Sequence, residues 1–234
     1  APVPFVLTAT ARREALRLAE YAKVLGRETG EYLEQAKVYE AALLREYPNL
    51  SQTTALAIYA YEHIGPRDAA RRLAAKVREN AAKADYGVLG AKLVPRVLAQ
   101  NGYVDEALEL LIQPEYPGYV NWLRMGATTL WEYWDGSFSH AHVMFGDLAS
   151  FMMQYLAGIK PDKAHPGFSF LDWKPCFPQK LAWLKACSQL PTGKISVSWK
   201  RTAKGVKYEI TLPVPGKIFG KKVAAGKHTG LVDR

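Results

Sequence analysis

The stretch SQTTALAIYAYEHIG, residues 51–65, decides the fold class of this chain. Its apolar residues recur at helical spacing, Ser51 is placed to cap the helix, and Gly65 followed by Pro66 ends it. The same pattern predicts helices at residues 9–26, 30–47, 67–82, 91–102 and 103–113, and a last one near 145–158. Short linkers join these helices and no heptad repeat is present, so antiparallel helical hairpins are predicted instead of a coiled coil.

The composition of the sequence and the period of its apolar residues change after Gly158. Residues 161–180 contain four prolines and one glycine and are interpreted as a linker. Beyond it, apolar residues alternate in KISVSWK (194–200) and VKYEITL (206–212), with Gly205 at the turn between them. This alternation predicts a β-hairpin inside a small β module at residues 181–234, after a helical part at 1–160.

Composition restricts the classes of partner. Hydrophobic residues make up 49% of the chain, and no apolar run approaches the ~20 residues of a membrane span. The net charge of +9 raises nucleic acid as a partner. However, basic residues alternate with Glu in the first half, and the late lysines lack the repeated aromatic interleaving of single-strand binders. We therefore predict neither a membrane nor a nucleic-acid partner.

Candidate site residues are concentrated in GATTLWEYWD, residues 126–135. If this segment is helical, Thr128 or Thr129 caps it and Glu132 is an acid of the first turns beside an aromatic core. The alternative is a carbohydrate site, in which flat rings stack on sugars and a carboxylate meets the hydroxyls. Three of the six tryptophans, Trp122, Trp131 and Trp134, lie within thirteen residues. An entirely buried cluster would require a partner for every indole N–H.

Two histidines follow in SFSHAHVMFGD. His140 and His142 share a face only in an extended segment. A substrate contact through one of them is plausible chemistry, whereas a metal site needs further ligands at workable spacing, and none is predicted. GxSxG, GxGxxG and Walker motifs are absent, and no cofactor is predicted.

Four stretches together resemble a known family: SQTTALAIYAY (51–61), residues 86–111, residues 116–161 and KISVSWK (194–200). The combination of GATTLWEYWD with SxxHxxxG is the most specific part. The chain resembles bacterial α-L-rhamnosidases of glycoside hydrolase family 78, which have an (α/α)6 barrel followed by a β-sandwich. The resemblance implies a mainly α chain with a C-terminal β module, namely a partial (α/α)6 barrel at 1–160, the linker at 161–180 and a β-sandwich at 181–234. It implies a bacterial protein, periplasmic or cytoplasmic.

The resemblance also implies roles for individual residues. Glu132 matches the general base of an inverting hydrolase that releases terminal α-L-rhamnose from glycans or glycosides. His142 matches a substrate-contacting histidine. Side chains expected to line the sugar site beside it are Trp131, Trp134, His140 and Trp122.

Two departures from the family pattern qualify this prediction. No DRxE-like segment is present to supply the general acid, so the chain alone is expected to have little or no activity. Ala141 stands where the family usually has Asn, which removes a polar substrate contact. A non-catalytic carbohydrate-binding or scaffold protein and a different (α/α)6 glycosidase stay open as alternatives. A partial barrel would also expose apolar helix faces and favour self-association.

Overall fold

A computed structural model describes residues 1–233 of the chain. The chain divides into two compact units, Ala1–Phe145 and the part that begins at Gly146. The first unit is helical and the second is built mainly of strands. The order predicted from the sequence, helices followed by a β module, is therefore confirmed.

The first unit is a series of helical hairpins. Its helices are α1 (Val3–Val24), α2 (Gly30–Glu46), α3 (Thr53–Glu62), α4 (Ala69–Glu79), α5 (Val88–Gln100), α6 (Val104–Ile112) and α7 (Tyr119–Arg124). Helix α1 packs on α2, α3 on α4, and α5 on α6. Short loops make the two helices of each pair antiparallel, so the predicted hairpins are confirmed.

Helices α3 and α5 form the inside of this array and pack on each other. Both are apolar around most of their circumference, as expected for helices with neighbours on several sides. Pro95 lies within α5 and is itself buried. Helix α4 instead has one apolar stripe and a basic outer face, typical of a helix with one side in water.

One local prediction, a helix cap, is wrong. Ser51 does not cap α3, because the N-cap position is Gln52 and no side chain caps it. The segment after α6 contains the short helix α7, which carries Tyr119 and Trp122. Residues 126–135 contain no helix, so the alternative of a helix capped by Thr128 or Thr129 does not hold. Glu132 therefore does not lie at a helix N-terminus.

The second unit begins with α8 (Asp147–Phe151) and a π-helical turn, Met152–Leu156. Its strands are β1 (Leu171–Trp173), β2 (Trp183–Leu190), β3 (Gly193–Thr202), β4 (Gly205–Leu212), β5 (Gly216–Ile218), β6 (Lys221–Val223) and β7 (Gly226–Val232). They form a three-stranded sheet, β1-β5-β6, and a four-stranded sheet, β2-β3-β4-β7. Strands β3 and β4 pair antiparallel around Gly205, which confirms the predicted hairpin.

The two sheets enclose one apolar core and thus form a small β-sandwich. Ile195, Val197 and Trp199 of β3 face this core together with residues of β1, β4 and β5. The indole N–H groups of Trp173 and Trp199 donate to the carbonyl oxygens of Ala157 and Leu156. These bonds satisfy the polar atoms of two buried rings.

Residues 161–180, interpreted as a linker, contain strand β1, which pairs with β5. They therefore contribute to the β-sandwich. The division into barrel portion, linker and sandwich at 160 and 180 stays a prediction.

Candidate active site

The site segment is a loop that folds back on itself. The backbone N–H of Glu132 donates to Ser139 O at 2.8 Å, and that of His142 donates to Leu130 O at 2.8 Å. The hydroxyl of Thr129 donates to the carbonyl oxygen of His140. These bonds bring residues 130–132 beside residues 139–142, so the acid and the histidines are neighbours without a helix.

The tip of the loop depends on Gly136 and Asp135. Gly136 has a φ of +79°, and a Cβ at this position would lie 2.7 Å from the Trp131 ring. The Asp135 carboxylate accepts hydrogen bonds from the backbone N–H and the hydroxyl of Ser137, which lower its pKa. The tight turn thus holds the second acid of the motif in a structural role.

Glu132 presents a carboxylate that is partly open to solvent. Its side chain is 32% exposed and that of His142 is 25% exposed. The backbone N–H of Ser139 donates to Oε2 of Glu132 at 3.3 Å, and Nδ1 of His142 lies 3.9 Å from the same oxygen. This exposure leaves water able to reach the carboxylate.

His140 lies on the ring of Trp131. The ring centroids are 4.4 Å apart and the planes differ by 15°. Nε2 of His140 lies 2.8 Å from the carbonyl oxygen of Gly136, which accepts a hydrogen bond from it. The imidazole covers one face of the indole, and Trp131 is only 7% exposed.

Trp122 and Trp134 belong to an aromatic cluster with Tyr119 and Phe145. The indole N–H of Trp122 donates to Trp134 O at 3.0 Å, and that of Trp134 donates to the carbonyl oxygen of Tyr86 at 2.7 Å. Trp122 is 2% exposed. Both N–H groups have backbone carbonyl partners, so this cluster packs as a support for the site loop. The predicted substrate contact by Trp122 would require a rearrangement of this packing.

Sequence reasoning missed two features of the site. Ser139, the first residue of the SxxHxxxG motif, supplies the N–H that bonds Glu132. Tyr133 and Phe138 form an exposed ring pair with centroids 5.1 Å apart. The sequence motif does not indicate this pair, because only the fold of the loop places Tyr133 beside Phe138.

Among residues 1–233, no group of three or more His, Cys, Asp or Glu side chains is arranged to hold a metal ion. Within the same residues, no helix has the length and apolarity needed to cross a bilayer.

Helical hairpins that hold an accessible carboxylate among aromatic rings, followed by a β-sandwich, define a protein of the six-hairpin glycosidase class. Residues 2–156 match the bacterial alpha-L-rhamnosidase 6 hairpin glycosidase domain, and residues 158–218 match the bacterial alpha-L-rhamnosidase C-terminal domain. The chain belongs to the bacterial α-L-rhamnosidase family. The predicted fold class, part of an α/α barrel followed by a β-sandwich, is confirmed.

Individual relatives agree with this assignment. An α-L-rhamnosidase of Formosa agariphila is 26% identical over 231 residues, covering 88% of this chain and 25% of the relative. One from Alteromonas sp. (strain LOR) is 31% identical over 138 residues, covering 54% of this chain and 15% of the relative. The crystal structure of Streptomyces avermitilis α-L-rhamnosidase complexed with L-rhamnose has a similar fold. Its TM-score is 0.89 at 21% identity, with coverage of 100% of this chain and 27% of that one.

The chain therefore spans between 15% and 25% of the length of these two curated relatives. The remaining length of the relatives includes parts that have no counterpart among residues 1–234.

Proposed function

We propose that this chain is the part of an α-L-rhamnosidase that carries the general base, and that Glu132 is this base. The reaction proposed is hydrolysis of terminal α-L-rhamnose from a glycan or glycoside with inversion. The observation that carries the proposal is the setting of Glu132: a partly exposed carboxylate, bonded by Ser139 N–H and 3.9 Å from His142, beside stacked aromatic rings.

A general base has to be ionised, reach a water molecule and keep a fixed orientation. The N–H of Ser139 bonds the Glu132 carboxylate, and the backbone bonds of Glu132 and His142 orient the loop. Exposure of about a third of the Glu132 side chain supports access by water. These features suit the base role better than the alternative of a capping acid, since no helix begins here.

The proposed step follows the general chemistry of inverting glycosidases. Glu132 removes a proton from water as the water oxygen attacks the anomeric carbon, and the glycosidic oxygen leaves with a proton from a general acid. In such enzymes the two carboxyl groups are about 6.5–9.5 Å apart. We place the acid outside this chain, because the sequence has no DRxE-like segment.

The other predicted site residues receive different roles. His142 contacts a sugar hydroxyl, and Trp134, His140 and Trp131 shape the sugar site. Trp122 positions Trp134, because the carbonyl oxygen of Trp134 accepts a hydrogen bond from the indole N–H of Trp122. No cofactor or metal takes part in the proposed reaction.

The surface of α1 supports the idea that further helices pack on this unit. Val3, Leu7 and Tyr21 are each more than 60% exposed. Large exposed apolar side chains on one helix favour association with another surface. We propose that barrel helices of the complete enzyme cover α1, and that the chain by itself associates through the same surface.

The test joins this chain to the barrel segment that precedes the matched region in an α-L-rhamnosidase relative. Release of p-nitrophenol from p-nitrophenyl α-L-rhamnoside is measured for the chain alone, the joined protein and the joined Glu132→Gln variant. The joined protein should turn over, and Glu132→Gln should lower kcat by about 10²–10⁴-fold. Asp135→Asn is the matched control, because this acid bonds only to its own turn.

Two results would contradict the proposal. Turnover by the chain alone that Glu132→Gln abolishes would place the acid within these residues. Equal losses for Glu132→Gln and Asp135→Asn in folded proteins would remove the special role of Glu132.

A second candidate function is carbohydrate binding without turnover. The observation that favours it is Ala141, an exposed alanine at a position where the α-L-rhamnosidase family usually has Asn. If the joined protein binds rhamnose and does not hydrolyse the glycoside, this second function is the better description.

A further inference from the structure

The outer face of the four-stranded sheet has an organised set of side chains that the proposed hydrolysis does not use. Strand register places four residues in one row across β2, β3, β4 and β7, namely Trp183, Lys200, Lys207 and Leu231. The row crosses four strands, so its length is three interstrand spacings, or about 14 Å. The alternate residues, among them Trp199, point into the core of the sandwich.

The next row on the same face is polar. It contains Lys185, Ser198, Glu209 and Thr229. The two rows border an open groove of about 900 Å³. A groove of this size accommodates a ligand of several rings.

The face has an excess of positive charge. Glu209 forms an ion pair with Lys227 at 2.9 Å. Lys185, Lys200 and Lys207 are exposed and form no ion pair within residues 1–233. Lys200 and Lys207 lie directly opposite each other on neighbouring strands, so their positive charges repel each other. An anion bound between them would reduce this repulsion.

Trp183 is the exposed aromatic residue of this face. Its side chain is 59% exposed, whereas the five other tryptophans of the described residues are buried or half-buried. An indole kept in water at a sheet surface loses the free energy that its burial would supply, about 25 cal/mol per Å² of apolar area. A flat ring beside ammonium groups matches a ligand with apolar ring faces and acidic substituents.

We propose that this face binds an anionic oligosaccharide, a glycan with carboxylate or sulfate groups. Trp183 stacks on the C–H face of one sugar ring, while Lys185, Lys200 and Lys207 pair with acidic groups of neighbouring rings. The site lies in the sandwich and is independent of Glu132, so it goes beyond the proposed hydrolysis.

Single-stranded nucleic acid is the main alternative ligand for a ring among lysines. Binding proteins of that kind stack successive bases on several aromatic side chains, and this face offers one exposed ring. Membership in a glycosidase family also favours a glycan. Nucleic acid is therefore an outcome of the test.

The test measures the quenching of tryptophan fluorescence, with calorimetry as a second method, when tetragalacturonate is added to the whole chain. A sulfated tetrasaccharide, neutral cellotetraose and a short thymidine oligonucleotide are compared under the same conditions. We expect saturable binding of an anionic glycan that weakens as salt is added, because its charged contacts are exposed. The anionic glycan that binds more tightly shows whether carboxylate or sulfate groups are recognised.

Two variants probe the site, and one serves as a control. Trp183→Ala should raise the dissociation constant about tenfold, since a lost stacking contact of roughly 1.4 kcal/mol corresponds to that factor. Lys200→Gln with Lys207→Gln should raise it about fivefold, as expected for two exposed charge pairs. Lys221→Gln with Lys222→Gln removes the same charge from β6, in the other sheet, and should leave binding within about twofold.

The proposal is overturned if no probe binds saturably, if cellotetraose binds as well as the anionic glycans, or if the oligonucleotide binds more tightly. Equal weakening by the β6 control would also overturn it, because the effect would then reflect net charge alone. Melting temperatures near that of the parent chain establish that each variant is folded.

Discussion

Nδ1 of His142 lies 3.9 Å from Oε2 of Glu132, although the two residues are ten positions apart in the chain. The approach is produced by the backbone bonds that join residues 130–132 to residues 139–142. A substrate hydroxyl that contacts His142 would therefore also lie close to the carboxylate. This relationship connects the proposed base with the proposed sugar contact.

In the joined enzyme, we expect His142→Ala to raise KM more than it lowers kcat. Loss of one polar contact to a bound sugar should reduce kcat/KM by about 10-fold, the equivalent of roughly 1.4 kcal/mol. Steady-state kinetics with p-nitrophenyl α-L-rhamnoside provide the measurement, with His228→Ala on β7 as control. A large fall in kcat at unchanged KM would instead give His142 a role in the chemical step.

Replacing Ala141 by Asn should strengthen rhamnose binding. Ala141 is exposed, so the larger side chain has room, and one added hydrogen bond is worth about 0.5–1.5 kcal/mol. Calorimetry with L-rhamnose should show a dissociation constant lower by about fivefold. Ala225→Asn, at another exposed alanine, controls for a general change in solubility. An unchanged affinity would show that residue 141 does not meet the sugar.

Gly136→Ala should disturb the site loop more than Gly126→Ala. Both glycines have positive φ, +79° and +86°, so either alanine has a backbone cost of about 1–2 kcal/mol. At Gly136 the new Cβ would also meet the Trp131 ring at 2.7 Å, whereas nothing lies within 4 Å at Gly126. Urea unfolding should show an additional loss of about 1–3 kcal/mol for Gly136→Ala. Equal losses would mean that the contact with Trp131 is easily relaxed.

Trp173→Phe should destabilise the β-sandwich. Trp173 is 1% exposed, and its indole N–H donates to the carbonyl oxygen of Ala157 at 2.8 Å. The smaller ring leaves that acceptor without its partner and creates a cavity, at a cost of about 2–4 kcal/mol. Trp183→Phe, at the exposed tryptophan, should change the unfolding free energy by less than about 0.5 kcal/mol. Chemical denaturation measures the unfolding free energy of both variants. Similar losses of stability would contradict the assignment of Trp173 to the core and Trp183 to the surface.

Glu62 should make the stability of the helical unit depend on pH. Burial raises its pKa above the ordinary value of 4.5, against the lowering influence of Arg13, Arg12 and Arg17. The folded state therefore holds the Glu62 proton more tightly than the unfolded state. The resulting stabilisation is present below the unfolded-state pKa and is lost as pH rises through the folded-state pKa.

The comparison for Glu62 is with Glu62→Gln, which cannot titrate. Unfolding free energies measured from about pH 4 to pH 7 should show the parent chain losing stability relative to the variant as pH rises. A difference that is constant with pH, or that changes in the opposite direction, would contradict the direction of the pKa shift.

Much of the architecture could be predicted because it follows from local periodicity. The 3.6-residue pattern located the helices around residues 51–65, and the alternation in residues 194–200 and 206–212 located the β3–β4 hairpin. The boundary residues were less predictable. Ser51 has the chemistry of a cap, yet α3 begins without it, because cap preference contributes only about 1 kcal/mol and tertiary packing overrides it.

The candidate site could be predicted only as a set of residues. The motif around Glu132 and His142 named them, but it did not distinguish a helix from a loop. Gly126 and Gly136 have positive φ, and residues 130–132 pair with residues 139–142, so this segment is not a helix. Such pairing depends on backbone groups that carry no residue-specific signal, so no sequence pattern reports it.

The sequence by itself determined the order of helices and strands and the residue types at the site, because period and motif are properties of the chain. Tertiary structure alone decided which tryptophans support the site and which meet solvent. Trp134 is held by the carbonyl oxygen of Tyr86, 48 residues away, and Trp183 stays exposed at the outer face of its sheet. The burial of a ring depends on what the rest of the chain places against it, and that is a long-range property of the folded state.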